Sequence, residues 1–188
     1  MKLLHLAFAG LVAFASTTIA AHADDLLTIQ LKDGPVVIKL APEVAPKHVA
    51  QIEALATKGE YDNVVFHRVI DGFMAQTGDV EFGKVGGPKY NPQQAGMGGS
   101  EMPDIPAEFS KLPFKRGTVG MARAQDPNSA NSQFFIMFAD GPFLNGQYTV
   151  VGQVVSGMDL VDKIKRGEGS NGEVSNPDKM IKVTVTKK

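Results

Sequence analysis

The sequence contains no cysteine and no tryptophan, and it has only three tyrosines and four histidines among 188 residues. Without cysteine the chain can form no disulfide, thiolate nucleophile or thiolate metal site, and cysteine usage says nothing about its compartment. Lysine and arginine number 19 against 20 acidic residues, and no basic tract is present. Strong binding to nucleic acid or to an anionic membrane is therefore not expected.

The sequence also lacks the motifs of hydrolytic and metal-dependent enzymes. Beyond the N-terminal stretch of residues 1–23, the sequence has only two histidines, His48 and His67, and neither stands in a metal-ligand spacing. No serine lies in a nucleophile-elbow context. His48 falls on the polar side of a predicted helix and is interpreted as a surface residue. His67 is interpreted as a hydrogen-bonded structural residue rather than a general base. We therefore expect no metal and no cofactor.

The longest apolar run lies at the N-terminus. Lys2 precedes an apolar run over residues 3–15, and Ala21-His22-Ala23 places small residues at the positions that signal peptidase reads. The run is shorter than the about 20 residues that a membrane span needs. A buried N-terminal helix is the alternative interpretation. We predict that residues 1–23 are a cleaved signal peptide, that the protein is periplasmic, and that the mature chain does not insert into membranes.

Residues 24–188 are enough for one domain with a full core. Alternating apolar and polar residues predict a hairpin over residues 27–40 that turns at Asp33-Gly34. A helix is predicted over residues 46–58, with Pro46 in its first turn, and a second over residues 158–165. Further strands are predicted at residues 64–70, 73–75, 118–122, 132–138, 148–155 and 180–186.

About eight short strands joined mostly by turns, with two helices far apart in sequence, predict a mainly β fold. We expect a closed eight-stranded antiparallel barrel, since closure removes exposed sheet edges. Residues 80–115 interrupt the pattern with many glycines and prolines. They do not resemble a phosphate-binding loop, because Gly83-Lys84 is followed by Val85 rather than by Ser or Thr. We predict an ordinary surface loop.

Residues 64–79 carry the polar groups that suggest chemistry. Two apolar runs, residues 64–70 and 73–75, are joined by the turn signal Asp71-Gly72 and contain or adjoin Arg68 and Gln76. A long cation and an amide within apolar strands need partners or a hydrated surface. The alternative is that Arg68 simply lies on the exposed face of an edge strand.

Three groups of residues form recognisable motifs in order along the chain. They are Phe66-His67-Arg68-Val69-Ile70, Gly72-Phe73-Met74-Ala75-Gln76 and Gly78-Asp79, then Gly120-Met121-Ala122-Arg123-Ala124 and Asn131-Ser132-Gln133-Phe134-Phe135-Ile136, and finally Phe143-Leu144-Asn145-Gly146 leading into Val151-Gly152-Gln153-Val154. Together these motifs resemble the signature of cyclophilin-type peptidyl-prolyl isomerases. The resemblance covers roughly residues 25–187.

The resemblance implies a barrel with one helix over each open end, and a reaction that breaks no covalent bond: rotation about an Xaa-Pro amide. It implies that Arg68 is catalytic, donating to the prolyl nitrogen of the twisted amide. Phe134, Ile136 and Phe138, on the other face of their strand, are assigned to the core. The residues that the resemblance assigns to substrate binding are Phe73, Met74, Gln76, Ala122, Arg123, Gln133, Phe135, Phe143, Leu144 and Tyr148.

Four positions depart from the eukaryotic pattern of the family. Phe143 stands where tryptophan is typical, Tyr148 where histidine is, Arg123 where asparagine is, and Asp71 where proline is common. The first three instead resemble bacterial cyclophilins, and the lack of tryptophan implies weak cyclosporin binding.

Two other function classes remain open at this stage. One is a periplasmic holdase or adaptor that grips prolyl segments without isomerising them. The other is a small-ligand carrier, since eight-stranded barrels often hold a ligand inside, although 11 Phe and 8 Met suggest a filled interior. For the isomerase we expect proline-containing polypeptide clients, no nucleic acid partner and a monomer.

Overall fold

The hairpin predicted at the start of the domain is present. The computed structural model describes residues 25–187, so the predicted signal peptide lies outside the described residues. Strands β1 (Leu26–Leu31) and β2 (Gly34–Leu40) pair in antiparallel register, with Ile29 opposite Val36. The alternating side chains of both strands are buried, because every second residue faces the core.

Eight further strands follow in the described residues: β3 (Val64–Val65), β4 (Arg68–Ile70), β5 (Met74–Thr77), β6 (Thr118–Met121), β7 (Phe134–Met137), β8 (Val150–Ser156), β9 (Lys179–Met180) and β10 (Lys182–Thr186). Eight of these ten strands form one antiparallel sheet, in the order β10-β1-β2-β8-β6-β7-β5-β4. Strands β3 and β9 pair separately.

The sheet is an open half-barrel, so the prediction of a closed barrel is wrong. Within residues 25–187 no ladder joins β4 to β10. The predicted strand over residues 64–70 is broken between β3 and β4, because β3 turns aside to pair with β9. The outer edge of β4 is occupied by a later segment, in which Gly167 donates to Val69 and Val69 donates to Gly172. The edge that closure would need is therefore already paired.

The first helix, α1 (Pro46–Thr57), matches its prediction and buries one stripe that includes Val49, Ile52 and Leu55. No side chain at its N-cap position accepts a hydrogen bond from the helix. The carboxylate of Glu108 takes this role, accepting the backbone N–H groups of Lys47 and His48 at 3.1 Å. A carboxylate there is also favoured by the helix dipole.

The prediction of His48 as a surface residue is wrong. Its side chain is fully buried, and its Nδ1 lies 2.6 Å from Oε2 of Glu108. Partial burial alone would raise the pKa of Glu108, but the hydrogen bonds from His48 and the backbone outweigh it and lower this pKa. The helical pattern could not reveal this partner, because Glu108 is 60 positions away in the chain.

The second helix, α2 (Met158–Val161), is shorter than predicted. After Val161 the backbone tightens into i→i−3 hydrogen bonds, with Lys163 donating to Leu160 and Ile164 donating to Val161. Residues 80–115 are a loop with tight turns, as predicted. None of the helices described is long and apolar enough to cross a membrane.

Two apolar clusters lie on opposite faces of β7. Phe134, Ile136 and Phe138 belong to the main core with α1 and the inner sides of β1 and β2, as predicted. Phe135 and Met137 point the other way and form a second, smaller cluster. Because side chains alternate across a strand, β7 separates the structural core from a surface that can hold a site.

Candidate active site

One row of residues runs across four neighbouring strands on the face that carries the smaller cluster. Arg68 of β4 lies opposite Gln76 of β5, Gln76 lies opposite Phe135 of β7, and Phe135 lies opposite Gly120 of β6. Residues directly opposite each other in a sheet share a face and are close enough to interact. The strand register therefore brings Arg68, Gln76 and Phe135 together, although Phe135 comes from a distant part of the sequence.

A chain of hydrogen bonds links the polar members of this site. Nη1 of Arg68 donates to Oε1 of Gln76 at 3.2 Å, and Nε2 of Gln76 donates to Oε1 of Gln133 at 3.0 Å. On its other side, Nε of Arg68 donates to the carbonyl of Asn171 at 2.9 Å. Arg68 is half-buried and has partners, so the alternative of a bare cation on an exposed edge does not apply.

Gln133 extends the chain into the long loop. Its Nε2 donates to the carbonyls of Gly96 and Gly98, at 3.0 and 2.8 Å. The N–H groups of the same two glycines donate to Oδ2 of Asp79, at 2.7 and 3.0 Å. The loop is thus held from both sides, which fixes Gln133 and, through Gln76, the guanidinium of Arg68.

The smaller apolar cluster lies beside these polar groups. Met74, Phe135 and Leu144 are buried in it, and Phe73, Ala122 and Tyr148 pack against it. Phe143 is 62% exposed, with its ring centroid 5.4 Å from that of Phe73. Each of these residues was predicted for substrate binding, and the structure places them around one apolar surface.

Arg123 lies at the far wall but does not point its charge into the site. Its guanidinium carbon is 4.5 Å from the centroid of the Tyr148 ring, a cation–π arrangement. Its Nη atoms donate to the carbonyls of Ala124, Gln125 and Gln147. The Tyr148 ring in turn meets Phe135 edge-on at 6.0 Å. Arg123 therefore braces the wall that Tyr148 forms.

Three residues of this site were not predicted. Phe114 stacks on Phe135 with ring centroids 5.8 Å apart, and Gly120 gives the space for this pair. A Cβ at Gly120 would lie 2.5 Å from Phe114 and 2.6 Å from Phe135. A glycine inside a strand signals such a close approach and could have been noticed. No local signal marks Asn171, whose contribution is a backbone carbonyl.

His67 lies directly under the loop and is 8% exposed. The sequence predicted a hydrogen-bonded residue; neither ring nitrogen has a partner at normal hydrogen-bond geometry among the described residues. Burial lowers the pKa of His67 to about 4, although the Val65 backbone and the Gln133 side chain lie near enough to oppose this shift slightly. A Cβ at Gly96 would lie 2.8 Å from the imidazole, so the loop needs glycine to cover the ring.

Comparisons with known proteins show which family the chain resembles. A family model described as "Cyclophilin type peptidyl-prolyl cis-trans isomerase/CLD" matches residues 26–186. A probable peptidyl-prolyl cis-trans isomerase of Brucella suis biovar 1 is 62% identical over 185 residues, covering 96% of this chain and 94% of that protein. Peptidyl-prolyl cis-trans isomerase B of Escherichia coli is 37% identical over 174 residues, covering 86% of this chain and 99% of that protein.

A solved structure agrees in fold. The cyclophilin-type peptidyl-prolyl cis-trans isomerase of Cryptosporidium parvum, crystallised in the presence of the dipeptide Ala-Pro, has a TM-score of 0.71 and 26% identity. The match covers 87% of this chain and 99% of that one. With the half-barrel, its two helices and the family match over nearly the whole domain, the chain belongs to the cyclophilin-type family and is a peptidyl-prolyl cis-trans isomerase.

Proposed function

We propose that this isomerase accelerates rotation about Xaa-Pro bonds of exported proteins, thereby assisting their folding, and that the reaction takes place at Arg68. The observation that carries the proposal is the Arg68 guanidinium, held by two hydrogen bonds in the same cross-strand row as the apolar surface at Phe135.

The reaction needs no bond to be broken. Its barrier of about 18–20 kcal/mol arises because the nitrogen lone pair is conjugated with the carbonyl. Without a catalyst the rotation takes tens to hundreds of seconds. A catalyst must hold the proline ring, fix the flanking peptide and stabilise the nitrogen that loses its conjugation in the twisted state.

Arg68 supplies the last of these functions. Arginine has five N–H donors, and within residues 25–187 its hydrogen bonds are those from Nε to Asn171 and from Nη1 to Gln76. The other Nη hydrogens are available to a substrate while the two contacts fix the plane of the guanidinium. The twisted nitrogen regains its lone pair and accepts a hydrogen bond, so this interaction is stronger in the transition state than in the ground state.

The remaining site residues hold the substrate. The apolar surface formed by Met74, Phe135 and Leu144 receives the proline ring, with Phe73 and Phe143 at its open side. Gln76, Gln133 and the backbone at residues 122–123 bind peptide groups of the client. Arg123 acts through Tyr148 rather than through its charge, since both of its Nη atoms donate to backbone carbonyls.

The decisive experiment separates turnover from binding. Exchange between the cis and trans forms of a short Xaa-Pro peptide is measured by NMR, alongside the affinity for the same peptide. We expect Arg68→Ala to reduce the exchange rate on the order of 100–1,000-fold, the typical cost of removing one preorganised donor. Affinity should fall much less. Arg68→Lys keeps the charge but loses the planar fork, so it should restore little activity.

Lys111→Ala serves as the control, because Lys111 is exposed and has no ion pair among the described residues. If Arg68→Ala isomerises as fast as the wild type, the assigned role of Arg68 is wrong. A wild-type protein that binds prolyl peptide but never accelerates exchange would instead be the proline-binding holdase or adaptor.

We also propose that the mature protein begins at Asp24 and acts in the periplasm as a monomer. Lys2, the apolar run and Ala21-His22-Ala23 support export, and the family match starts only at residue 26. The intact mass of protein recovered from the periplasm tests this. A mass that retains residues 1–23 would contradict the cleavage site.

A further inference from the structure

A groove of about 820 Å³ lies beside the active site and was not predicted from the sequence. One wall is residues 90–97 of the long loop, and the other is residues 171–177 near the C-terminus. Arg68 and Gln76 also line it, so the groove opens directly from the catalytic arginine. Its volume lies within the roughly 300–1,000 Å³ typical of ligand-binding clefts. We refer to it as the side groove.

Both walls of the side groove are tied to active-site residues. The first wall is held through Gly96 and Gly98, whose carbonyls accept from Gln133 and whose N–H groups donate to Asp79. The second wall is held by the hydrogen bond from Arg68 to the Asn171 carbonyl and by strand-like bonds at residues 172 and 174. The groove is therefore formed before any ligand binds, which reduces the entropic cost of binding.

The lining of the side groove suits a polypeptide. The Tyr90 hydroxyl and the side-chain amides of Gln93 and Asn176 make no hydrogen bond to any other described residue, so they can pair with peptide groups. Met97 is 79% exposed at the same wall. Methionine is flexible and polarisable, so it can contact apolar side chains of many shapes.

We propose that the side groove binds an extended segment of the client polypeptide next to the isomerised proline, through its backbone amides and one apolar side chain. The inference rests on the proposed role of Arg68, because a chain held at that residue must continue along a neighbouring surface. The charged residues Glu173 and Lys179 also line the groove, while its amide groups and Met97 suit an extended backbone and one apolar side chain.

The test compares peptides of different length. Catalytic efficiency is measured on a capped four-residue Xaa-Pro peptide and on two eight-residue peptides, each extended on one side of the proline. For the wild type we expect one of the extended peptides to be turned over on the order of three- to tenfold more efficiently, the usual effect of one hydrogen bond. The length ratio is the catalytic efficiency on the extended peptide divided by that on the four-residue peptide. Gln93→Ala and Met97→Ala should each bring this ratio towards one.

Val155→Ala is the matched control for Met97→Ala, because Val155 is also an exposed apolar residue, 56% accessible, but lies on β8, four strands from β4. It should leave the length ratio unchanged. A wild-type ratio of one for both extended peptides, or a ratio that survives both groove substitutions, would overturn the inference. If a second copy of the chain fills the groove instead, ultracentrifugation would show a dimer that the groove substitutions dissociate. If the wild type does not isomerise the four-residue peptide at all, the proposed function itself is contradicted.

Discussion

Mild acid should destabilise this enzyme through His67 before most carboxylates are protonated. His67 is 8% exposed, and neither ring nitrogen has a partner at normal hydrogen-bond geometry among the described residues. Burial is the main cause that lowers the pKa of His67 to about 4; Arg68 adds to the shift, whereas Asp79 and the polar groups of Val65 and Gln133 oppose it. In the unfolded chain an ordinary histidine has a pKa of about 6.5. The unfolded state therefore takes up the proton first as the pH falls.

The magnitude follows from linkage. The free energy of unfolding has its full value well above pH 6.5 and falls progressively as the pH drops towards 4, because in that window His67 is protonated only in the unfolded state. With these two pKa values the loss is about 2 kcal/mol at pH 5, since one pKa unit corresponds to about 1.4 kcal/mol. Carboxylates with lowered pKa values, such as Asp62 and Asp178, contribute mainly below that pH.

Urea unfolding at pH 7.5 and pH 5.0 measures this loss in the wild type and in His67→Gln. Glutamine does not titrate, so the variant should lose much less stability between the two pH values, whatever its stability at pH 7.5. An equal loss in both proteins would show that His67 is not the group responsible and would refute the reasoning.

Three further changes test the walls of the site. Gly120→Ala places a methyl group against Phe114 and Phe135. Urea unfolding should show that the free energy of unfolding falls by about 1–3 kcal/mol, and kinetic measurements should show a raised KM. Phe143→Trp should increase the affinity for cyclosporin roughly tenfold, as measured by titration, because a larger ring then contacts the apolar ligand; equal affinities would contradict this. Arg123→Met should raise KM more than it lowers kcat by freeing Tyr148, whereas a loss confined to kcat would indicate direct participation.

Local patterns predicted the parts of the fold whose cause is local. The hairpin at Asp33-Gly34, the helix that starts at Pro46 and the two faces of β7 were all predicted, because turn residues and periodicity determine them. The motif resemblance named residues that the structure then gathers around Arg68 and Phe135. Their roles in binding and catalysis remain predictions.

The features that sequence reasoning missed depend on distant partners. His48 is buried only because Glu108 meets it from the long loop. The strand over residues 64–70 is broken because β9 draws β3 away, and the barrel stays open because residues 167–172 occupy the edge of β4. The side groove likewise arises between two loops that are more than 70 positions apart. No window of neighbouring residues contains these pairings.

The distant cap of α1 also bears on the order in which the domain folds. An isolated helix of 12 residues is marginal in water, and the first N–H groups of α1 are satisfied by Glu108, about 60 residues later. Residues 46–57 emerge before the segment that carries their capping carboxylate, whether the chain leaves a ribosome or an export channel. The N-terminal cap of the helix is therefore missing until residue 108 has emerged. We expect α1 and the loop that carries Glu108 to become ordered together.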